Sequence, residues 1–147
     1  MARKIFSVIL IFSVVLTASV AMAARNPRAD RSLLLFYQHQ GYDYYLERDS
    51  LTWYADDDYQ YVSFEYFAYD ARNSERLRVE SMEFAYDVRA RRVYFVDQNG
   101  ELDYLNPYGT IAEGSGYADG AEKIYYLVFG EKFYGTYGEE FYYSFWD

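Results

Sequence analysis

Residues 59–69 carry uncharged, mainly apolar side chains at the alternate positions 62, 64, 66 and 68, and this alternation constrains the fold more than any other feature of the sequence. A period of two is typical of a β-strand that is buried on one side only. The face without a charged residue is predicted to point into the core, and it carries Val62, Phe64, Tyr66 and Ala68. The opposite, outer face then carries Ser63, Glu65 and four aromatic residues: Tyr59, Tyr61, Phe67 and Tyr69.

Two segments on either side of this strand also have strand composition. Residues 42–46 are rich in tyrosine, and residues 75–87 carry regularly spaced apolar side chains. In the second segment the apolar positions change parity between Val79 and Met82. Because an extra residue in one strand shifts its side chains to the other face, this change predicts a β-bulge near Ser81.

A hairpin is predicted further along the chain. Residues 91–96 and 101–105 flank Asn99-Gly100, a pair that accepts the positive φ angles of a tight turn, so the two segments should pair. Near the start, the apolar run 33–37 is too short to be assigned from its period, and a strand and a short helix both remain open.

The pattern changes to a helical one after Gly116. The apolar stripe predicts an amphipathic helix over about residues 118–129, and it comprises Ala118, Ala121, Ile124, Tyr125 and Val128. Asp119 and Glu122 have the spacing of a capping box, and Gly130 is a typical C-terminal stop. The aromatic tail 133–146 is either a further strand or a packed extension.

These elements together predict the fold class and the division of the chain. The fold is α+β, with an antiparallel β-meander sheet of four to six strands and one C-terminal amphipathic helix packed on it. Residues 33–147 form a single domain, and residues 24–32, which are small and charged, form a flexible leader.

The first residues have the order of signals of an export sequence. Arg3 and Lys4 precede the apolar run 5–20, and Ala21 and Ala23 form a small-x-small cleavage site, so residues 1–23 are predicted to be a signal peptide. The alternative is a retained membrane anchor, because about 20 apolar residues are enough to span a bilayer. With cleavage, the domain is exported to the periplasm or the cell surface and has no stable membrane span.

Composition excludes several classes of function. The chain has 23 acidic and 14 basic residues, a formal net charge of −9, which disfavours binding to nucleic acid phosphates. It has no cysteine and a single histidine, His39, so it lacks the ligands of a zinc site and a cysteine nucleophile. Asp97 and Asn99 offer oxygen ligands for calcium, but a hairpin turn explains the same residues. No catalytic residue, metal or cofactor is therefore predicted.

Aromatic residues are unusually frequent, with 20 tyrosines, 11 phenylalanines and 2 tryptophans. If the outer face is exposed, its rings form a binding surface, and the candidate binding residues are Tyr59, Tyr61, Phe67 and Tyr69. The alternative is that the helix and the tail cover this second face. A small cell-envelope hydrolase that uses paired carboxylates is the competing function, because the acidic residues are numerous.

Several short motifs resemble the surface-adhesin protein E family of exported bacterial proteins. They are residues 45–51, the segment Phe84-Ala85-Tyr86-Asp87 with Arg91-Arg92-Val93, and residues 105–110 after Gly100. The likeness extends over about two thirds of the chain, although the cysteines of some members are missing here. It implies an antiparallel sheet with a helix near the C-terminus. It also implies a non-enzymatic, adhesin-like binding protein whose partner is a host or envelope protein.

Overall fold

The computed structural model describes residues 27–143. The predicted signal peptide, the first part of the leader, and Phe145 and Trp146 of the tail lie outside these residues. The chain divides into two compact units, residues 1–30 and residues 31–147. In the first unit the described part contains a 3-10 turn, Pro27–Ala29, and the second unit contains the sheet and the α-helices.

The second unit has a seven-stranded sheet in which every pair of neighbours is antiparallel. The strands are β1 (Leu33–His39), β2 (Tyr42–Glu47), β3 (Thr52–Ala55), β4 (Gln60–Asp70), β5 (Glu75–Asp87), β6 (Arg92–Val96) and β7 (Leu102–Leu105). Their order is β1-β2-β4-β5-β6-β7, and β3 pairs with β4 alone among the described residues. The predicted antiparallel α+β architecture is confirmed. The apolar run 33–37 belongs to a strand, and the short β3 was not predicted.

Two α-helices follow the sheet in sequence, α1 (Ser115–Phe129) and α2 (Glu139–Tyr143). The inner face of the sheet packs against α1. On the sheet side, Val62, Phe64 and Phe84 are at most 2% exposed, and on the helix side Ala121 and Ile124 are fully buried. The predicted inner face of β4 and the predicted helix stripe are therefore confirmed, because both belong to one hydrophobic core.

The beginning of α1 differs from the sequence prediction. The helix starts at Ser115, with Gly114 as its N-cap in the left-handed region at φ 82°. Asp119 and Glu122 do not form a capping box, because Glu122 is fully buried in the middle of the helix. The reciprocal capping bonds are made earlier, between Thr110 and Glu113 in a preceding 3-10 turn. Residue spacing alone does not distinguish these two positions.

Two glycines of α1 allow the helix to approach β1 closely. A Cβ atom on Gly120 would lie 2.7 Å from the backbone oxygen of Phe36, and one on Gly116 would lie 2.5 Å from the Tyr37 ring. At these two positions a side chain would require the helix or the strand to shift.

The irregularity in β5 lies away from its predicted position. Ser81 pairs with Glu65 in uninterrupted register, so the prediction of a bulge at Ser81 is wrong. The register shifts instead opposite Ala68, where Leu77 and Arg78 occupy the space of one residue. Val79 is an apolar residue on the outer face and is 41% exposed, whereas Met82 is on the inner face. The change from odd to even apolar positions between them therefore needs no bulge at Ser81.

Within residues 133–143 the C-terminal tail is a packed extension that includes α2 and forms no strand. The Phe133 ring lies 5.2 Å from Tyr86 and 5.0 Å from Tyr125, both in the core between sheet and helix. The tail and α1 therefore pack on the inner face of the sheet. The alternative in which they cover the aromatic outer face is wrong for the tyrosines of β3, β4, β6 and β7 on that face.

Candidate functional site

The register of the sheet aligns four tyrosines across five strands. Tyr54 on β3 pairs with Tyr61 on β4, and Tyr61 pairs with Ala85 on β5. Ala85 pairs with Tyr94 on β6, which in turn pairs with Tyr104 on β7. Directly paired residues project from the same face, so all five side chains lie on the outer face.

The rings of this alignment contact one another in sequence. Tyr54 and Tyr61 stack with centroids 4.6 Å apart and planes inclined by 7°. Tyr59 lies 6.0 Å from Tyr61 and 5.8 Å from Tyr94, so its ring bridges the position of the small Ala85. The last contact, 5.7 Å, joins Tyr94 to Tyr104. We refer to these five residues as the tyrosine row: Tyr54, Tyr61, Tyr59, Tyr94 and Tyr104.

The tyrosine row is accessible, most of all at its two ends. Tyr54 is 52% exposed and Tyr104 is 47% exposed, while the three tyrosines between them are half-buried. Tyrosine offers a large contact area and a polar hydroxyl at the cost of ordering only two side-chain torsions. A continuous line of rings that is half-buried in the middle and exposed at both ends is consequently a surface suited to contact with another molecule.

Two carboxylates flank the β3 end of the row. The Tyr61 hydroxyl donates to Asp56 Oδ2 at 3.0 Å, and the Tyr54 hydroxyl donates to Glu83 Oε1 at 3.4 Å. The other carboxylate oxygen of Glu83 accepts a hydrogen bond from the Ser63 hydroxyl. These contacts fix two negative groups beside the stacked rings.

The protonation states at this end are set by hydrogen bonds and burial. The backbone N–H groups of Tyr59 and Asp58 donate to Asp56 Oδ1 and hold the pKa of that carboxyl below its usual value. Partial burial, followed by the bond to Asp56, raises the pKa of Tyr61 to about 12. At neutral pH Asp56 is therefore ionised, and the Tyr61 phenol keeps the proton that it donates.

The opposite end of the row carries a positive charge. The Arg92 guanidinium lies 5.8 Å from the centroid of the Tyr104 ring, within the range of a cation–π contact. The row therefore runs from an acidic end at β3 to a cationic end at β7.

The structure separates the four predicted binding residues into two groups. Tyr59 and Tyr61 belong to the tyrosine row, whereas Phe67 and Tyr69 lie at the far end of β4 with Tyr45, at ring distances of 5.7 Å and 6.5 Å. Phe67 is only 1% exposed, so it is a buried packing residue and not part of an open surface. Alternation along one strand assigns a face, but it does not reveal what covers that face.

Three members of the row, Tyr54, Tyr94 and Tyr104, were not among the predicted binding residues. A partial signal for two of them was present, because Tyr94 and Tyr104 lie in the two segments of the predicted hairpin, each five residues from Asn99. Tyr54 belongs to the unpredicted strand β3 and had no such signal.

A groove of about 520 Å³ opens next to the start of α1, mainly on the inner side of the sheet, and Tyr104 of the row also contributes to its lining. Its lining includes Tyr66, Phe95 and Tyr117 and two carboxylates, Asp103 and Glu113. Hydrogen bonds from Thr110, chiefly from its backbone N–H, hold the pKa of Glu113 below its usual value. A general acid of a glycosidase requires a raised pKa, so Glu113 does not fit that role. The hydrolase alternative stays a prediction.

Other candidate chemistry has local structural explanations. Asp97 Oδ1 accepts bonds from the backbone N–H groups of Asn99 and Glu101, which is the arrangement of the predicted turn. His39 stacks on Tyr37 with centroids 6.0 Å apart. Within residues 27–143, no group of three or more histidine or acidic side chains is placed to hold a metal ion. In the same part of the chain, no helix has the length and apolar character needed to cross a membrane.

Comparison of the chain with protein-family models, with curated proteins and with solved structures finds no match. The resemblance to the surface-adhesin protein E family therefore stays a prediction that rests on the short motifs named above.

Proposed function

We propose that this chain is an exported, non-enzymatic binding domain that holds a protein partner on its tyrosine row. The observation that carries the proposal is the continuous line of ring contacts from Tyr54 to Tyr104. Packing of the core does not require this line, because α1 and the tail occupy the other face of the sheet. Exposed aromatic residues are the type that most often supplies binding energy in protein interfaces.

The export signal in residues 1–23 supports a site of action in the periplasm or on the cell surface. The partner is then a host or envelope protein, and the resemblance to a family of adhesins agrees with this setting. The absence of cysteine means that the fold depends on its core and hydrogen bonds in an oxidising compartment.

Site-specific photocrosslinking tests the proposal. A photoreactive phenylalanine analogue replaces Tyr104 in the row or, as the matched control, Tyr108, which is 84% exposed and lies outside the row. In intact cells or on host matrix, position 104 should form a discrete adduct that is lost when Tyr61→Ser and Tyr94→Ser are added. Equal adducts at both positions, or adducts insensitive to the two serines, would show that the row is not the contact surface.

A further inference from the structure

Two arginine residues in or next to this sheet lie over an aromatic ring and against a carboxylate. The Arg76 guanidinium is 3.8 Å from the centroid of Phe67, and its Nη2 atom is 2.6 Å from Glu47 Oε1. Arg72 lies 5.5 Å from the centroid of Tyr42, and its Nε atom is 3.1 Å from Asp70 Oδ1. In both places the ring contacts one part of the cation and the carboxylate neutralises its charge.

The β3 end of the tyrosine row has the same combination of an aromatic ring and carboxylates, but it lacks the arginine. Tyr54 supplies the ring, and Glu83 and Asp56 supply the negative charge. Neither carboxylate has an ion pair with a basic residue in the described range 27–143. Arg92 serves the other end of the row, at Tyr104.

The position of Tyr54 leaves room for a planar cation. One face of its ring stacks on Tyr61, and β3 has no second strand partner among the described residues, so the other face is directed to the edge of the sheet. The 52% exposure of Tyr54 agrees with this arrangement. A flat group stacked there would extend the row by one layer, next to the Tyr54 hydroxyl that donates to Glu83 Oε1.

We propose that the Tyr54 ring, with Glu83 and Asp56, binds an arginine side chain from an extended, basic segment of the partner protein. The proposal rests on the proposed function and names the chemistry of its partner. Arginine fits better than lysine because its planar guanidinium stacks on a ring while its N–H groups pair with carboxylates. The net charge of −9 attracts a basic segment, and its arginine would bind at the acidic β3 end of the row, at the opposite end from Arg92.

The test uses a defined probe, an eight-residue peptide that alternates glycine and arginine. The matched peptide replaces each arginine by citrulline, which keeps the shape and removes the charge. Titration of the purified protein, followed by amide chemical shifts and calorimetry, should show shifts around Tyr54 and Glu83 with the arginine peptide. Affinity for the citrulline peptide should be at least about tenfold weaker. Equal affinity for the two peptides would overturn the proposal.

Protein variants assign the binding to this site. Tyr54→Ser and Glu83→Gln should each weaken binding of the arginine peptide by about three- to tenfold, whereas Tyr54→Phe, which keeps the ring, should change it by less than about twofold. Glu65→Gln is the charge control, because Glu65 is an exposed acid on the same face of β4 outside the site. If Glu65→Gln weakened binding as much as Glu83→Gln, the attraction would be due to net charge alone and the proposal would fail.

The outcome is distinguishable from that of the proposed function. If the crosslink at position 104 identifies a partner and the arginine peptide does not bind, the row is a binding surface for another chemistry and only the arginine assignment is overturned. If the arginine peptide binds at Tyr54 and no row-dependent adduct forms, the arginine site stands and the proposed function is overturned.

Discussion

The carboxylate of Glu122, fully buried in α1, accepts a hydrogen bond from the hydroxyl of Tyr142, which lies 20 residues further along the chain. The same carboxylate accepts the backbone N–H groups of Phe133 and Tyr134 at 3.0 Å and 2.7 Å. A buried charge is tolerated when hydrogen bonds replace its hydration, and here the three donors all come from the tail. Glu122 therefore fastens the C-terminal segment to the helix.

We expect Glu122→Ala to lower the free energy of unfolding by about 3 kcal/mol or more, because it leaves buried N–H donors without an acceptor. Glu122→Gln should cost less, since its amide oxygen retains one acceptor. Urea denaturation measures both values. Glu131→Gln, an exposed acid just after α1, is the control and should change stability by less than about 0.5 kcal/mol. Similar losses for Glu122→Ala and Glu131→Gln would contradict the anchoring role.

The close approach of α1 to β1 predicts an unusual response to alanine. Alanine is the better helix former, yet Gly120→Ala would place a Cβ atom 2.7 Å from the Phe36 backbone oxygen, so we expect a loss of about 1–3 kcal/mol. Gly138→Ala meets no atom within 4 Å and should be close to neutral. Thermal melting of the two variants checks this contrast, and a stabilised Gly120→Ala would show that the helix has room to move away.

The raised tyrosine pKa values predict a loss of stability in alkaline solution. Burial raises the pKa of both Tyr61 and Tyr117 to about 12, above the ordinary value of 10.0. Asp56 adds a smaller effect at Tyr61, and Tyr37 adds one at Tyr117. Between these values the unfolded chain releases protons that the folded chain retains, so stability is complete below about pH 10 and falls as the pH rises to about 12.

Urea unfolding between about pH 8 and pH 11, together with phenolate absorbance, measures this dependence. Tyr61→Phe removes one of the shifted groups and should make the decline less steep. A stability that does not change over this range would contradict the shifted values.

Export is predicted from residues outside the described range. The small residues Ala21 and Ala23 fit a signal peptidase, so the mature protein should begin at Ala24. The intact mass of the exported protein, or its N-terminal sequence, checks this. Recovery of a chain that still contains Arg3 and Lys4 would favour the retained anchor instead.

How much of this structure the sequence predicts depends on whether a contact is local. Alternation placed Val62 and Phe64 in the core, and helical spacing placed Ile124 there, because these periods follow from local geometry. The tyrosine row depends on register between strands, and β3, which supplies Tyr54, has only four residues and no buried position. Glu122 shows the same limit, because its partners lie in the tail and its buried role has no local signal.

The separation of Phe67 from the tyrosine row gives a last prediction. Both Phe67 and Tyr104 are outer-face aromatic residues, but Phe67 is 1% exposed beneath the Arg76 guanidinium while Tyr104 is 47% exposed. Phe67→Ala should therefore lower the free energy of unfolding by about 3–5 kcal/mol, the typical cost of removing a buried ring. Tyr104→Ala should cost less than about 1 kcal/mol.

Binding should show the opposite order. In the crosslinking assay with the photoreactive group at Tyr54, Tyr104→Ala should reduce the adduct, because it removes one end of the row. Phe67→Ala, assayed at a temperature where the variant remains folded, should leave the adduct unchanged, since its ring is inaccessible. A stable Phe67→Ala variant that loses the adduct would mean that the far end of β4 takes part in binding. Tyr59, Tyr61, Phe67 and Tyr69 would then form one binding surface, as the sequence alone predicts.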